Sequence, residues 1–245
     1  EYLAEFSEDS FAFIDAADVD AAIAPSSMPF FPPRPNVFYA MGLDPDRKRD
    51  HFGAAIAHRE GDAVVVSWCA EWEPGVFGLR YADVLPEIWK KAHEYRIRRI
   101  ASDHIDFGGI EASIPTANGV PEFEMKRVMT GGQSGAELSD VTRALFVQRK
   151  LLLPNQPGLA DEFKRLADYL SQGGAPDIRA KRGHDDRSRA VMLAVHQAFS
   201  EPPLHAPICI VIDLSVPGDV AQRTEADLRS RSREEFFFRR GSSFR

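Results

Sequence analysis

The chain has little cysteine and no long apolar run. Its 245 residues include two cysteines, Cys69 and Cys209, which cannot build a disulfide framework and do not have the spacing of a metal-binding pair. The sequence contains no run of about 18 apolar residues and no charged-then-apolar leader. We therefore expect a protein of a reducing, cytoplasmic compartment that is neither secreted nor inserted in a membrane.

Positive charge is not in excess either. The formal net charge of -7 argues against a protein that binds nucleic acid through overall positive charge, although several local segments are basic. The phosphate-loop pattern Gly-x-x-x-x-Gly-Lys-[Ser/Thr] does not occur, so we expect no ATP hydrolysis by this chain. Hydrophobic residues make up 44% of the sequence, which is enough for one substantial core.

The hydrophobic pattern of residues 36–200 predicts an α/β domain. Three strands follow one another as a meander: an apolar run that ends at Asp44, then two β-rich runs on either side of a Gly61-Asp62 turn. A helix over residues 81–95 leads into the strand "IRRIAS", which ends at Asp103. A meander followed by βα crossovers indicates a mixed sheet with helices on both faces.

The later part of this domain is predicted to be mostly helical. A glycine-rich loop over residues 131–135 precedes an amphipathic helix and a short strand "LLLP". A helix over residues 158–174 is expected to stop at glycines, and a last, buried helix begins at the Asp185-Asp186 pair.

The two ends of the chain are interpreted separately. Residues 1–35 are charged or proline-rich and are interpreted as a linker from a preceding domain, because the chain begins at Glu1 rather than methionine. Residues 201–245 end in a Ser/Arg-rich run, which indicates an extension that is flexible or docks a partner.

Acidic residues stand at the ends of predicted elements. Asp44 closes the first strand, Asp103 closes the fourth, and Asp185 and Asp186 open the last helix. If the first and fourth strands form a parallel pair, their acids emerge at the carboxyl edge where open α/β sheets place their sites. Carboxylates that cluster need a cation between them, and hard oxygen ligands suit Mg²⁺ or Mn²⁺. Two such ions can cleave a phosphodiester.

Each acid also has an ordinary structural interpretation. Asp44, followed by proline, is a good turn residue, and Asp103 can be interpreted as a loop acid after a strand, with Asp106 as the alternative acid for its role. Asp185 is a good helix N-cap and Asp186 favours the helix dipole. His184 is either a polar loop residue or a group that orients a ligand or assists proton transfer.

Five segments occur in a specific order along residues 1–200: "EYLAEFSED", "GLDPDRKRDHFGAAI", "IASDHIDFGG", "LLLPNQPGLADEFKRL" and "GHDDRSRAVMLAV". In order and spacing they resemble the large terminase subunit of tailed bacteriophages and prophages, in its C-terminal nuclease domain. The resemblance implies an RNase H-like fold, joined in the full-length chain to an N-terminal packaging ATPase. It also implies metal-dependent cleavage of concatemeric double-stranded viral DNA in the host cytoplasm, with the portal protein and the small terminase subunit as partners.

The resemblance assigns roles to individual acids. Asp44 in "GLDP" matches the first catalytic acid and Asp103 in "IASD" the second. In "HDD" both Asp185 and Asp186 are in register with the third, and the choice between them stays open. Asp50 in "RDHFG" matches a position that is often acidic. It is interpreted as a residue that would contact the metal ligands rather than the metal itself.

Two basic segments are candidates for contact with DNA. One is "RAKRGH", with Arg179, Lys181 and Arg182 just ahead of the acidic pair, and the other is "KKAHEYRIRR" over residues 90–99. No recognition helix is apparent, so we expect little sequence specificity. The alternatives are another RNase H-like nuclease, of the junction resolvase or transposase type, and a non-catalytic module that docks to the portal.

Overall fold

The computed structural model describes residues 11–45, 51–76, 78–103, 107–129, 132–170 and 176–200. Strands β1 to β11 of this part of the chain span Phe11–Ala12, Tyr39–Asp44, Phe52–Glu60, Ala63–Trp72, Arg99–Asp103, Thr116–Ala117, Val120–Pro121, Glu124–Val128, Leu151–Leu152, Leu166–Leu170 and Pro176–Ala180. Helices α1 to α6 span Ala16–Ala22, Tyr81–Glu94, Phe107–Glu111, Gly132–Val147, Leu159–Arg165 and Asp186–Ser200.

A six-stranded mixed sheet lies at the centre, in the order β8-β5-β2-β3-β4-β9. Strands β2, β3 and β4 form the predicted antiparallel meander, and the turn between β3 and β4 contains Gly61 at a φ of 62°. Strand β5 pairs with β2 in parallel, as do β8 with β5 and β9 with β4. The predicted mixed sheet is therefore confirmed, and the first and fourth strands form the parallel pair that the site hypothesis requires.

Helices cover both faces of this sheet. On one face α6, predicted as a buried helix, packs with α1, α4 and α5 over the inward side chains of β3 and β4. Its approach to β2 depends on Gly42, where an added Cβ would lie 2.2 Å from the carbonyl oxygen of Ala190. On the other face α2 buries Val84, Ile88 and Trp89 against β2 and β3. The predicted α/β architecture is thus confirmed.

The helix predicted over residues 158–174 is wrong from Leu166 to Leu170, and its predicted end at residues 171–174 lies outside the described residues. Helix α5 ends at Arg165, and Leu166–Leu170 instead forms β10 between β1 and β11 in a separate three-stranded sheet. Leu166 and Ala167 are buried there, and the backbone groups that a helix would use internally pair across the strands. Tertiary pairing has overridden the local helical pattern.

The glycine-rich loop is also shorter than predicted. Helix α4 begins at Gly132, so most of the expected loop is the first turn of that helix. Near the start of the described chain, residues 11–24 contribute Phe13, Ile14 and Val19 to the core beside Phe163. Their interpretation as part of a linker from another domain stays a prediction, and residues 201–245 lie outside the described part of the chain. Within the described residues, no helix has the length and apolar character needed to cross a membrane.

Candidate metal centre

Asp44 and Asp103 end two neighbouring parallel strands. Leu43 of β2 is in register with Ser102 of β5, so the aspartates that follow lie side by side at one edge of the central sheet. The separation of adjacent strands is about 4.8 Å. Both acids are buried, with exposed fractions of 7% and 2%. The structure therefore brings these two predicted site residues together.

The beginning of α6 lies over the same edge. Gly53 in β3 is the antiparallel partner of Asp44. A Cβ atom added to Gly53 would lie 2.1 Å from the carbonyl oxygen of Asp186, so a residue without a side chain is needed for the helix to approach this closely. Asp186 is the first residue of α6 and is 4% exposed. A third acid is thereby positioned next to the first strand end.

Asp185 makes different contacts from its neighbour. Its Oδ2 atom accepts a hydrogen bond from the backbone N–H of Ala180 at 2.9 Å, and its Oδ1 atom lies 3.2 Å from Nε of Arg189. Its backbone carbonyl accepts hydrogen bonds from the hydroxyl of Ser188 and the backbone N–H of Arg189, both at 2.8 Å. Asp185 thus ties the first turn of α6 to the end of β11.

Two histidines join Asp186 in a cluster of metal-ligand type. One ligand atom each from His51, His184 and Asp186 lies within 4.8 Å of the others. The imidazole rings of His51 and His184 are stacked, with centroids 3.9 Å apart, and His184 Nδ1 lies 3.9 Å from Asp186 Oδ2. The sequence motifs indicate His184 as a candidate site residue but do not single out His51. One other feature of the sequence does indicate His51. An antiparallel strand begins at the edge where its partner ends, and His51 directly precedes β3.

A partly buried ion-pair network supports His51. Its Nδ1 atom lies 3.3 Å from Glu71, which in turn lies 3.5 Å from Arg187. Arg187 donates from Nε to Glu162 at 3.0 Å, and the backbone N–H of Ser188 donates to the same carboxylate at 2.9 Å. Burial raises the pKa of Glu162, although Ser188 and Arg187 act in the opposite direction. The contact between Nδ1 of His51 and Glu71 orients the imidazole ring beside His184 and Asp186.

The donor set at this edge fits a divalent cation. Asp44, Asp103 and Asp186 are buried at one end of the sheet, and the group whose ligand atoms lie within 4.8 Å of one another contains Asp186 with the two histidines, without Asp44 or Asp103. A cation at this edge would reduce the repulsion between neighbouring carboxylates. Carboxylate oxygens suit Mg²⁺ and Mn²⁺, whereas imidazole nitrogens extend the range to Co²⁺ and Zn²⁺. Asp50 and Asp106, the two further acids considered from the sequence, lie outside the described residues.

The two basic segments lie in different places. Lys181 and Arg182 are exposed in the turn between β11 and α6, directly ahead of His184. Arg179, near the end of β11, places its guanidinium 4.4 Å from the centre of the Tyr169 ring. Residues 90–99 end where β5 begins, at the opposite end of that strand from its acid. Of the two segments, only the first lies in the turn that leads directly to the acidic edge.

No family model and no curated protein matches the chain. Comparison with solved structures identifies the fold. The central sheet and its flanking helices form an RNase H-like fold. It is the fold of the large terminase nuclease from thermophilic phage G20c, with a TM-score of 0.60 and 17% identity over 76% of this chain and 98% of that one.

Two further structures have the same fold. The HK97 bacteriophage large terminase matches with a TM-score of 0.63 and 14% identity over 77% of this chain, which corresponds to 44% of that protein. The Thermus phage P74-26 large terminase nuclease domain matches with a TM-score of 0.54 and 16% identity, over 74% of this chain and 94% of that one. The G20c nuclease has also been solved with bound magnesium, cobalt and zinc.

Proposed function

We propose that the protein is a divalent-metal-dependent DNA endonuclease of the large terminase type. The observation that carries this proposal is the pairing of Asp44 and Asp103 at the ends of adjacent parallel strands, with Asp186 held beside them by Gly53. The shared fold with the G20c nuclease, which was solved with magnesium, supports the same interpretation.

The three acids have distinct proposed roles. Asp44 is the central ligand because β2 lies between β5 and β3 in the sheet, and Asp103 and Asp186 each complete one side. Two bound ions would supply an activated water molecule and stabilise the leaving oxygen of the phosphodiester. The protein holds the carboxylates on strand ends and a helix start, where all three are buried.

Asp186 is preferred to Asp185 as the third acid. Both carboxylate oxygens of Asp185 already contact Ala180 and Arg189, and this arrangement orients the start of α6. His51 and His184 are proposed as additional ligands or as groups that hold a proton near the attacking water.

Contact with DNA is assigned to the basic turn ahead of α6. Arg179, Lys181 and Arg182 precede His184 and Asp186 in the chain, so a phosphate bound by them is close to the acids. The overall charge of -7 makes such local contacts necessary. These contacts are to the backbone of the duplex, which implies cleavage with little sequence preference.

The biological setting follows from the terminase type. We propose that the substrate is concatemeric double-stranded viral DNA, cut during genome packaging in the host cytoplasm. The chain matches 44% of the length of the HK97 large terminase. A packaging ATPase domain preceding residues 1–35 is accordingly part of the proposal, as are the portal protein and the small terminase subunit as partners.

Plasmid cleavage with Mn²⁺ tests the proposal. Asp44→Asn replaces a carboxylate by a neutral group of equal size and is expected to reduce cleavage to below about 1% of wild type, since the central ligand is lost. Asp140→Asn is the matched control because Asp140 is exposed on α4 and is not one of the acids assigned to the centre. Equal cleavage by wild type and Asp44→Asn, with both proteins folded by circular dichroism, contradicts the assignment.

The same assays separate the alternatives. Faster cleavage of a four-way junction than of linear or supercoiled duplex would favour a resolvase. If Mn²⁺ neither raises the melting temperature nor releases heat on titration, the acids have structural roles only, and a module that docks to the portal is favoured.

A further inference from the structure

A cavity of about 370 Å³ lies at the opposite end of the central sheet from the candidate metal centre. Tyr39 and Arg99, which begin β2 and β5, line this cavity, whereas Asp44 and Asp103 end the same strands. At about 3.3 Å per residue the two ends are roughly 13–17 Å apart. A single phosphate group therefore cannot occupy both places.

The lining of the cavity is strongly basic. It includes five arginines and one glutamate: Arg34, Arg59, Arg96, Arg98, Arg99 and Glu60. This concentration of positive charge occurs in a chain whose net charge is -7. Guanidinium groups present paired N–H donors that match the oxygens of a phosphate group, and their charge strengthens those hydrogen bonds.

The arginines are not all equally compensated. Arg34 forms an ion pair with Glu60 and contacts His58, so its charge is balanced within the protein. Arg59 instead donates to two carbonyl oxygens, those of Gly61 at 2.7 Å and Phe199 at 3.2 Å, and its guanidinium lies 5.0 Å from the centre of the Phe199 ring. These neighbours are neutral and hold Arg59 in place, and Asp62, the acid whose pKa Arg59 helps to lower, forms its ion pair with Lys150.

Arg96 extends from a backbone position that favours glycine. At the end of α2 the N–H of Ile97 donates to the carbonyl of Ala92 at 2.8 Å, and the N–H of Arg96 donates to that of His93 at 3.0 Å. This is a Schellman motif, and Arg96 occupies its left-handed position with a φ of 54°. Glycine adopts this conformation without strain. Arg96 can therefore be replaced by glycine with the helix end intact.

We propose that this cavity binds a phosphate group, carried either by a nucleotide or by the DNA backbone. Its volume is at the lower end of the range for small-molecule sites, which is about 300–1,000 Å³. Phe38, 41% exposed, forms part of the wall and offers an aromatic face for a base. The site is separate from the metal centre, and its existence does not depend on the proposed nuclease activity.

The experiment compares two arginines at equivalent positions. Arg149 ends α4 in the same Schellman motif, with a φ of 56°, and is not among the cavity residues. Arg96→Gly and Arg149→Gly remove the same charge from the same backbone geometry, and both are expected to melt no lower than wild type. Arg98→Gln is a second cavity variant. Binding of AMP, adenosine and a short DNA duplex is measured by calorimetry in EDTA, so that divalent metals play no part.

The proposal predicts that AMP binds and adenosine does not. Arg96→Gly and Arg98→Gln should weaken AMP binding roughly tenfold or more, whereas Arg149→Gly should not. If AMP does not bind but the duplex binds, with the same pattern among the variants, the phosphate belongs to the DNA backbone. The proposal is overturned if neither probe binds wild type, or if Arg96→Gly and Arg149→Gly have equal effects.

Discussion

Asp185 and Asp186 are neighbours in sequence but face different surroundings. The carboxylate of Asp185 joins the beginning of α6 to Ala180 and Arg189. Asp186 is nearly completely buried and belongs to the cluster with the two stacked histidines. Asp186 is the first residue of α6 and Asp185 precedes it, so the exact start of the helix decides which acid faces the sheet edge.

This difference predicts opposite phenotypes for two matched substitutions. Asp185→Asn should lower the free energy of unfolding by about 1–3 kcal/mol, because charge-assisted hydrogen bonds are weakened, and should leave most of the Mn²⁺-dependent cleavage. Asp186→Asn should abolish cleavage with little change in metal-free stability. Urea unfolding in EDTA and plasmid cleavage measure the two effects. Retained cleavage by Asp186→Asn with loss in Asp185→Asn would reverse the assignment.

His51 predicts a change in metal preference. Imidazole nitrogen matters more to Co²⁺ than to Mg²⁺, so His51→Ala should weaken Co²⁺ binding roughly tenfold or more and Mg²⁺ binding much less. His93→Ala on the exposed side of α2 is the control. Calorimetric titration with each metal measures the effect, and unchanged Co²⁺ affinity in His51→Ala would exclude a ligand role.

The sequence predicts part of this site, for a physical reason. Asp44 and Asp103 follow apolar strands, and the rule that parallel strands end at one edge places them together. The choice between Asp185 and Asp186 needs the rotational phase of α6, which is set by packing on Gly53 rather than by local pattern. The rule about strand ends does not indicate His51, because this residue lies before the start of β3, the antiparallel neighbour of β2.

At the scale of elements, the contact between α6 and the sheet positions the candidate centre. The helix crosses β2 at Gly42 and β3 at Gly53, and at both glycines an added Cβ would overlap the helix backbone. The second contact is made by Asp186 itself. The position of this acid is therefore fixed by two backbones in direct contact rather than by flexible side chains.

Gly53→Ala tests this contact. The new methyl group would force the start of α6 away from the sheet, with an expected loss of about 1–3 kcal/mol in unfolding free energy and a clear loss of Mn²⁺-dependent cleavage. Gly108→Ala is the control, because a Cβ there meets no described atom within 4 Å and alanine favours α3. The control should be as stable as wild type or slightly more so. Unchanged cleavage by Gly53→Ala would show that the close contact does not position the site.

The sequence predicts a strand or a helix correctly where the spacing of apolar residues within that segment is enough to identify it. The meander and helix α2 have apolar positions at the strand or helix period and are found as predicted. Residues 159–170 also have a helical period, yet β10 begins at Leu166. Its strand partner β11 has only Ile178 as a large apolar residue, so no local pattern indicates the pairing.

At the scale of the whole molecule, the two ends of the sheet carry opposite charge. Buried carboxylates lie where β2 and β5 end, and arginines lie where these strands begin. His58 is buried near the basic end, with exposed groups Arg34 and Glu60 beside it and the hydroxyl of Ser67 2.9 Å from its Nδ1 atom. Protonation of this histidine is therefore coupled to stability.

Burial lowers the pKa of His58 below its ordinary value of 6.5, and Arg34 acts in the same direction while Glu60 opposes it. The unfolded chain consequently binds more protons than the folded protein just below pH 6.5, so this histidine destabilises the fold as the pH falls from 6.5 toward its folded-state pKa. Urea unfolding between pH 5 and 8 should show that His58→Gln reduces this loss relative to wild type. His93→Gln, whose side chain in wild type is 53% exposed, is the matched histidine control. A slope in His58→Gln equal to that of wild type would mean that other groups cause the acid sensitivity.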